Sequence, residues 1–230
     1  MLLVMRAGRR LRSALSWMVE PTTHDALVLA AGTNVRIRLR RREDAADEYR
    51  WRADPETSRF NGRAAYREPF EQFLDLVAYE LAYGLNDREQ FAIESGDGEH
   101  LGTVMLYNFG GSGESAELGI TLGDEGVRGQ VIGREAVTTF LRWVWNNRPL
   151  RVVYLHALEW NERALRCFAA SGFDAVARVL RDGHAYTRME ARREWWLLWD
   201  AEGRFEFPCR AAPAGAKADG GPQPIGSSEG

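Results

Sequence analysis

The segment GVRGQVIGRE, from Gly126 to Glu135, places glycines where a helix is predicted to begin, with Val131 between Gly129 and Gly133. Free N–H groups at a helix start favour anions, and glycine lets the backbone approach a pyrophosphate closely. Many turns between a strand and a helix contain glycine for steric reasons alone. The spacing is neither a Gly-Lys-Ser/Thr loop nor a G-x-G-x-x-G fingerprint. An anion site and a plain turn therefore both stay open.

Other reactive side chains are scattered along the chain. Cys167 could act as an acyl-enzyme nucleophile, although a small residue packed under a helix is the commoner role. His156 lies in an apolar strand and could be a base or a core histidine with its hydrogen bonds satisfied. The four histidines and two cysteines have no metal-ligand spacing, so we predict no metal site.

The residues around these candidates predict alternating strands and helices. Val35, Ile37 and Leu39 alternate with arginines, which indicates a half-buried strand whose arginine face could receive an acidic partner but is expected to be solvated. Two helices follow, one ending near Asp54 and one over residues 69–83. The segments QFAIES and LGTVMLYNF form a predicted hairpin, and AELGITL forms a further strand.

The second half repeats the alternation. A helix over REAVTTFLRWVW, the strand RVVYLHAL and a helix capped by Asn161 precede two closing strands. The predicted fold class is α/β, of the α+β mixed kind. It has a mixed, mostly antiparallel central sheet of about six to seven strands, flanked by helices on both faces. EWWLLWD indicates a further helix, docked on the body or on a partner.

Composition limits the function classes. With 230 residues, 45% of them hydrophobic, and a net charge of -3, the chain predicts one main domain and no nucleic-acid partner. The longest uncharged stretch before residue 20 is too short for a membrane span, so we expect a cytoplasmic protein without an integral membrane segment. The arginines of residues 6–12 predict either a basic amphipathic helix for a membrane or partner, or a poorly ordered extension.

Several ordered motifs together resemble the GNAT superfamily of acyl-CoA-dependent N-acetyltransferases. They are R-G-x-x-x-G-x-E-A from Arg128, and N-E-R-A-x-x-x-F-x-x-x-G-F from Asn161 after one intervening strand. WRADPETSRF, AELGITLGDEGVRG and MEARREWW resemble the branch that acetylates ribosomal-protein N-termini, the RimJ/RimL type. The resemblance spans residues 35–196 and implies a sheet that is splayed at its centre.

The resemblance also implies a binding mode for acetyl-CoA, the expected co-substrate. The loop and helix start should hold the pyrophosphate, and the strand before them should pair with the pantetheine arm. Asn161 and Ala164 should contact the arm from the other side. The implied residues also include Phe168, and together with the loop and strand they are Ile120, Thr121, Leu122, Val127, Arg128, Gly129, Gln130, Val131, Ile132, Gly133 and Arg134.

The chain departs from the family pattern at two positions. Val131 stands where glycine is usual, which would cost about 1–3 kcal/mol if φ were positive and little if it were negative. Phe168 replaces a tyrosine that in many relatives protonates the leaving thiolate. Solvent suffices for that step, and Tyr154 is a weaker substitute.

The resemblance further implies roles for the transfer itself. Glu117 matches a glutamate that serves as base in several relatives, directly or through water, and its alternative is a solvent-facing strand carboxylate. A backbone N–H near Ile120 would polarise the thioester carbonyl. The acceptor region should include Trp51, Arg59, Phe60, Asn61 and His184, the last in the turn from Arg181.

We therefore predict an acetyl-CoA-dependent N-acetyltransferase that acts on a primary amine, either a protein N-terminus or a small molecule, by direct attack in a ternary complex. The alternative is a non-catalytic GNAT-fold module that senses or scaffolds through acyl-CoA. Domain limits are predicted as an extension over 1–33, the acetyltransferase domain over 34–200, and a C-terminal extension over 201–230 that is disordered from about 208. The sequence leaves a homodimer open.

Overall fold

The computed structural model describes residues 27–84, 87–123 and 131–208, which form one eight-stranded sheet flanked by helices. The strands are β1 (Val28–Ala31), β2 (Val35–Leu39), β3 (Arg88–Ser95), β4 (His100–Tyr107), β5 (Ser115–Leu122), β6 (Val152–Leu158), β7 (Asp174–Arg181) and β8 (His184–Arg192). The helices are α1 (Ala45–Ala53), α2 (Pro55–Phe60), α3 (Phe70–Tyr83), α4 (Ile132–Asn147), α5 (Glu162–Ala170) and α6 (Arg193–Ala201), with a short 3-10 helix at Arg42–Asp44.

The sheet runs in the order β1-β2-β3-β4-β5-β6-β8-β7. Every neighbouring pair is antiparallel except β5 and β6, which are parallel because α4 crosses between them. This arrangement confirms the predicted mixed, mostly antiparallel fold. The described chain has one strand more than the six to seven expected.

The additional strand is β1, which pairs antiparallel with β2 at the edge of the sheet. It lies inside the stretch predicted as an N-terminal extension. At the other end, Phe205 is fully buried and stacks on Trp196 of α6 with ring centroids 4.7 Å apart. The folded body thus begins before residue 34 and continues past residue 200. The basic segment before residue 20 and the tail from residue 209 lie outside the described residues.

The main core lies between the sheet and α4, whose one face is buried along its whole length. Val35 and Ile37 of β2 contact this core together with Phe140 and Val144 of α4. The i, i+3, i+4 spacing of apolar residues in the helix meets the period of two in the strand, so both elements bury their apolar sides against each other. A smaller core, with Phe73 of α3 at its centre, lies among α1 and α3.

The opposite face of β2 corrects one prediction. Its arginines were expected to be solvated, but Arg38 is 2% exposed and donates to Asp44 and Glu94. Arg40 is also buried and pairs with Glu48 and Glu80. The 3-10 helix, α1 and α3 cover this face, and their carboxylates compensate the buried guanidinium charges. The alternation of apolar residues and arginines in the sequence does not indicate that these helices cover the second face of the strand.

The pairing of β5 with β6 is short. Only Ser115 to Glu117 pair with Val152 to Tyr154, whereas both strands continue for several residues beyond that point. Beyond Glu117 the two strands diverge and leave a cleft in the middle of the sheet. None of the helices in the described ranges is long and apolar enough to cross a membrane.

Candidate active site

The cleft between the diverging strands opens into a cavity of about 790 Å³. Strands β4, β5, β6 and β8 form its floor, and α1, α2, α4 and α5 surround it. Most of the predicted site residues that the structure describes line this cavity. They are Trp51, Phe60, Asn61, Ile120, Thr121, Leu122, Val131, Gly133, Arg134, Asn161, Ala164 and Phe168.

The start of α4 forms one end of the cavity. Val131, the N-cap residue, has φ −60° and ψ −18°, so valine fits this backbone without the strain of a positive φ. A Cβ on Gly133 would lie 3.0 Å from Cδ1 of Leu122 and 3.5 Å from Sγ of Cys167. Glycine therefore lets the helix start approach β5 and α5 closely. Val127, Arg128, Gly129 and Gln130 lie outside the described residues.

Two neighbours in this helix turn have other contacts. Ile132 is 3% exposed and packs into the main core, so it does not line the cavity. Arg134 lines the cavity but also donates from Nε to the carbonyl of Ala170 and from Nη2 to that of Arg204. These bonds tie the start of α4 to the end of α5 and to the chain beyond α6.

The long walls of the cleft are β5 and the start of α5. From Leu118 onward β5 pairs with β4 on one edge only, so alternate backbone groups on its other edge face the cleft. On the opposite wall, Asn161 caps α5 by accepting from the N–H of Ala164. The free edge of β5, the start of α4 with Gly133 and the cleft between them together fit an extended ligand. Acyl-CoA is such a ligand, because its pantetheine arm is extended and leads to a pyrophosphate anion.

Glu117 lies where β5 and β6 separate, with 3% of its surface exposed. Burial excludes the alternative of a solvent-facing strand carboxylate. Its Oε2 accepts from Asn108 and its Oε1 from His156. Burial alone would raise the pKa of Glu117, but hydrogen bonds from His156, Asn108 and Tyr107 and the charge of His156 outweigh it and lower that pKa. Glu117 is thus an ionised carboxylate with little tendency to take a proton.

His156 is the group that connects Glu117 to the cavity. Its Nδ1 lies 2.7 Å from Oε1 of Glu117, and its Nε2 lies 3.3 Å from Nη2 of Arg181. When the ring is neutral, a carboxylate at Nδ1 and a guanidinium donor at Nε2 together favour the tautomer with the proton on Nδ1. The lone pair of Nε2 is then the basic site in the cleft. His156 was predicted to be either a base or a core residue, and its position in the cavity lining favours the first role.

The residues that hold Glu117 include two that the sequence analysis did not select. Tyr107 stands opposite Glu117 in the β4–β5 register, and burial, followed by the charge of Glu117, raises the pKa of its hydroxyl. Asn108 follows it with φ 49°, a conformation that asparagine tolerates better than most residues. The dipeptide Tyr-Asn at the strand end, before the glycine-rich connector, was the available signal.

The far end of the cavity is formed by α1 and α2. Trp51 is 3% exposed and its ring lies against Gly123, where a Cβ would come within 2.0 Å of the indole. The ring of Phe60 packs 5.4 Å from that of Trp160, in the turn before α5. Arg59 stacks over the same Trp160 at 4.6 Å and does not itself line the cavity. These aromatic contacts close the cleft on its α2 side.

The surroundings of three other candidates, His184, Cys167 and Tyr154, do not favour a direct role in the transfer. His184 is exposed in the β7–β8 hairpin and does not line the cavity, whereas Arg181, its strand partner, contacts His156. Burial raises the pKa of the Cys167 thiol to about 11, which disfavours a thiolate nucleophile. Tyr154 donates to the backbone carbonyl of Asn108 and does not line the cavity.

The model of the family described as an acetyltransferase (GNAT) domain matches residues 34–174. The chain belongs to the GNAT acetyltransferase family. Membership confirms the predicted enzyme class, an acyltransferase. A comparison with curated protein sequences gave no significant match.

Solved structures of GNAT enzymes share the fold. A spermidine N-acetyltransferase from Vibrio cholerae, crystallised with CoA and spermine, superposes with a TM-score of 0.64 at 18% identity. The aminoglycoside acetyltransferase AAC(6')-Ib, in complex with coenzyme A, gives 0.61 at 17% identity. In both comparisons 71% of this chain and 98% of the other chain are covered. At these identities the likeness supports the fold and not the acceptor.

Proposed function

We propose that this GNAT protein transfers the acetyl group of acetyl-CoA to a primary amine, by direct attack within a ternary complex. The observation that carries the proposal is the pair Glu117–His156, buried where the β5–β6 cleft opens into the cavity. The acceptor is a protein N-terminal amine or a small-molecule amine. The motifs shared with the RimJ/RimL branch favour the protein N-terminus.

Acetyl-CoA would lie along the cleft. The N–H groups at the start of α4, with Gly133, would hold its pyrophosphate, and the free edge of β5 over Ile120–Leu122 would pair with its pantetheine arm. Asn161 and Ala164 would contact the arm from α5. When bound, acetyl-CoA supplies an acetyl group activated as a thioester. The unpaired N–H groups of β5 are suited to polarise a carbonyl held against that edge.

The acceptor amine must lose a proton before it can attack, because an ammonium group has a pKa near 10. Nε2 of His156 would accept this proton in place of its contact with Arg181, whose side chain is about half exposed and free to move aside. Glu117 would hold the ring orientation and stabilise the imidazolium. Glu117, first expected to be the base itself, thus becomes the group that positions it.

Phe168 lines the cavity and cannot donate a proton. This feature favours the second candidate function, a GNAT-fold module that binds acyl-CoA without turnover. The φ of Val131 removes the other argument for that candidate, since the helix start is unstrained. A CoA thiolate is stable in water, so transfer does not require an acid at the position of Phe168.

Two measurements on the purified protein test the proposal. Calorimetric titration with CoA should show binding, and release of free thiol from acetyl-CoA should depend on an added primary amine. A panel should contain short peptides with free N-termini, the same peptides with acetylated N-termini as controls, and small amines. Binding without thiol release across the whole panel would establish the non-catalytic function, and absence of CoA binding would overturn both.

A further inference from the structure

The charges around the cavity indicate what kind of amine it accepts. Among the residues that the structure describes, seven arginines and three acidic residues line the cavity. The arginines are Arg40, Arg52, Arg63, Arg88, Arg134, Arg163 and Arg166, and the acidic residues are Glu48, Glu80 and Asp87. This excess of positive charge disfavours a cationic ligand and favours an anionic one.

Part of the excess belongs to the CoA end. Arg134, Arg163 and Arg166 lie on α4 and α5, the helices proposed to flank CoA; Arg166 also pairs with Glu162, and Arg163 also lies 5.2 Å from the ring of Phe60. The phosphates of CoA account for these three. The arginines on the opposite side, around α1 and α2, face the place where the acceptor would lie, so their charge requires a separate account.

Two of the arginines at the acceptor end are already neutralised. Arg40 pairs with Glu48 and Glu80, and Arg88 pairs with the second oxygen of Glu80. The carboxylate oxygens of Glu48 and Glu80 thus all contact guanidinium groups. Asp87 is exposed at the rim.

Arg52 and Arg63 differ from these two. Neither lies within 4 Å of a carboxylate in the described ranges 27–84, 87–123 and 131–208. Burial, followed by repulsion from Arg63, lowers the pKa of the Arg52 guanidinium. Arg52 is held by Tyr66 and Phe73, whose rings lie 4.9 and 5.4 Å from its guanidinium carbon. Both arginines are exposed and face one cavity, and within the described ranges the carboxylate that acts electrostatically on Arg52 is that of Glu80, which is already paired with Arg40 and Arg88.

The pair is also near the reacting end of the cleft. Arg63, together with Arg181, acts electrostatically on the hydroxyl of Tyr107, which is a hydrogen-bond partner of Glu117. Arg52, Arg63 and His156 line the same cavity, so one ligand in it can face both the arginines and the Glu117–His156 pair. An amine and an anion in one molecule can then reach both places at once.

We propose that Arg52 and Arg63 form an oxyanion subsite for the acceptor, so that the substrate is a primary amine that also carries a carboxylate or phosphate group. This inference rests on the proposed N-acetyltransferase function. The inferred substrate differs from a polycation. The Vibrio cholerae structure holds spermine, whereas Arg52 and Arg63 would repel such a ligand.

The test uses acceptors of similar length that differ in the charge of one terminal group. They are 4-aminobutyrate, 4-aminobutyramide, 1,4-diaminobutane and 3-aminopropylphosphonate, and a parallel peptide set has Glu, Gln, Lys or phosphoserine at position two behind a free N-terminal glycine. For at least one set, kcat/KM with the anionic member should exceed that of the neutral member about tenfold or more, as expected for charge-assisted hydrogen bonds. The cationic member should be the poorest substrate. Comparing the carboxylate with the phosphonate or phosphoserine distinguishes the two anion sources.

Variants locate the effect. Arg63→Gln and Arg52→Gln should reduce the ratio of anionic to neutral acceptor toward one, while the Kd for CoA stays unchanged. Arg67→Gln is the matched control, because Arg67 is exposed in the same loop and does not line the cavity. Arg52 also packs on aromatic rings, so thermal melting must confirm that its variant is folded, and Arg63→Gln carries the test if it is not. A preference for the cationic acceptor, or an unchanged ratio in Arg63→Gln, would overturn the subsite.

Failure of catalysis remains distinguishable from failure of the subsite. If no acceptor causes thiol release, calorimetric titration of the CoA-saturated protein with the same acceptors replaces kinetics. Binding of the anionic members that is lost in Arg63→Gln would support the subsite although the transfer proposal had failed. Equal binding, or no binding, of anionic and neutral members would reject it.

Discussion

The carboxylate of Glu117 and Nδ1 of His156 lie 2.7 Å apart at the last paired residues of β5 and β6. Their register places Glu117 opposite Tyr154, two residues before His156, so both side chains lie on the cleft face of the sheet. The strand separation that creates the ligand cleft begins at this pair. The Glu117–His156 pair and the ligand cleft thus both lie where the pairing of β5 with β6 ends.

The pair predicts unequal effects of two substitutions. His156→Gln removes the proton acceptor and should lower kcat by about 10²- to 10⁴-fold, the usual contribution of a positioned general base. Glu117→Gln should lower kcat less and should leave CoA binding intact. Both are measured by amine-dependent thiol release with calorimetry of CoA. If Glu117→Gln lowers kcat more than His156→Gln does, with CoA binding intact in both variants, Glu117 is the base.

Glu117 also predicts a dependence of stability on pH. Because folding lowers its pKa, the ionised carboxylate stabilises the fold above the unfolded pKa of about 4.3, and this stabilisation is lost as the pH falls through that value toward the lower folded pKa. Glu117→Gln should therefore be less stable than the parent near neutral pH, and the difference should shrink on acidification. Urea denaturation at a series of pH values measures it, and a difference independent of pH would refute the assignment.

The helix start of α4 predicts an outcome for Val131→Gly. Since Val131 has negative φ, glycine relieves no strain and the Kd for CoA should change by less than about twofold. Gly133→Val is the contrasting variant: its side chain would meet Leu122 and Cys167 and should destabilise the fold by about 1–3 kcal/mol and weaken CoA binding. Calorimetry and urea denaturation report the two effects. Clear tightening by Val131→Gly would show that the valine impairs the site.

Gly123 predicts a steric coupling with Trp51. A Cβ at Gly123 would lie 2.0–2.3 Å from three indole atoms, so Gly123→Ala must displace a buried ring and should cost about 1–3 kcal/mol. Trp51→Ala removes the obstacle, and the double variant should therefore lose less stability than the sum of the two single variants. Gly96→Ala, which meets no atom within 4 Å, is the matched control for the glycine-to-alanine change. Strict additivity would contradict the contact.

Phe205 predicts where the folded body ends. It is fully buried against Trp196, so Phe205→Ala should cost about 3–5 kcal/mol of unfolding free energy. Glu206→Ala, at the exposed neighbour, should be close to neutral. Equilibrium denaturation of both variants measures the difference. A neutral Phe205→Ala would restore residue 200 as the boundary.

Local patterns predicted the elements well where one rule dominated. The period of two in β2 and the helical spacing in α4 each identified an element and the side that packs in the main core, because backbone geometry alone fixes those periods, although Leu39 at the end of β2 is 43% exposed. The ordered motifs predicted the family, and the family resemblance in turn predicted the cleft at the centre of the sheet. The φ of Val131 could not be read from its type, since it depends on how the preceding loop enters the helix.

Contacts between distant segments were the part that sequence could not supply. Arg38 looked solvated because the carboxylates of Asp44 and Glu94 are brought to it only by folding. His156 looked like a core residue because its partner Glu117 is 39 positions away. In the hairpin of the predicted acceptor region, His184 was selected, whereas the side chain that contacts His156 is that of Arg181. Each case depends on register across the sheet, which a single sequence does not specify.

The free edge of β5 has a consequence for folding as well as for binding. From Leu118 to Leu122, β5 has no strand neighbour on one side among the described residues, so its backbone groups there need water or a ligand as partners. A pantetheine arm that pairs with this edge would take the place of the missing strand. We therefore expect substrate binding to complete the sheet, and amide protons of this edge to exchange freely in the ligand-free protein and to become protected together once the cleft is filled.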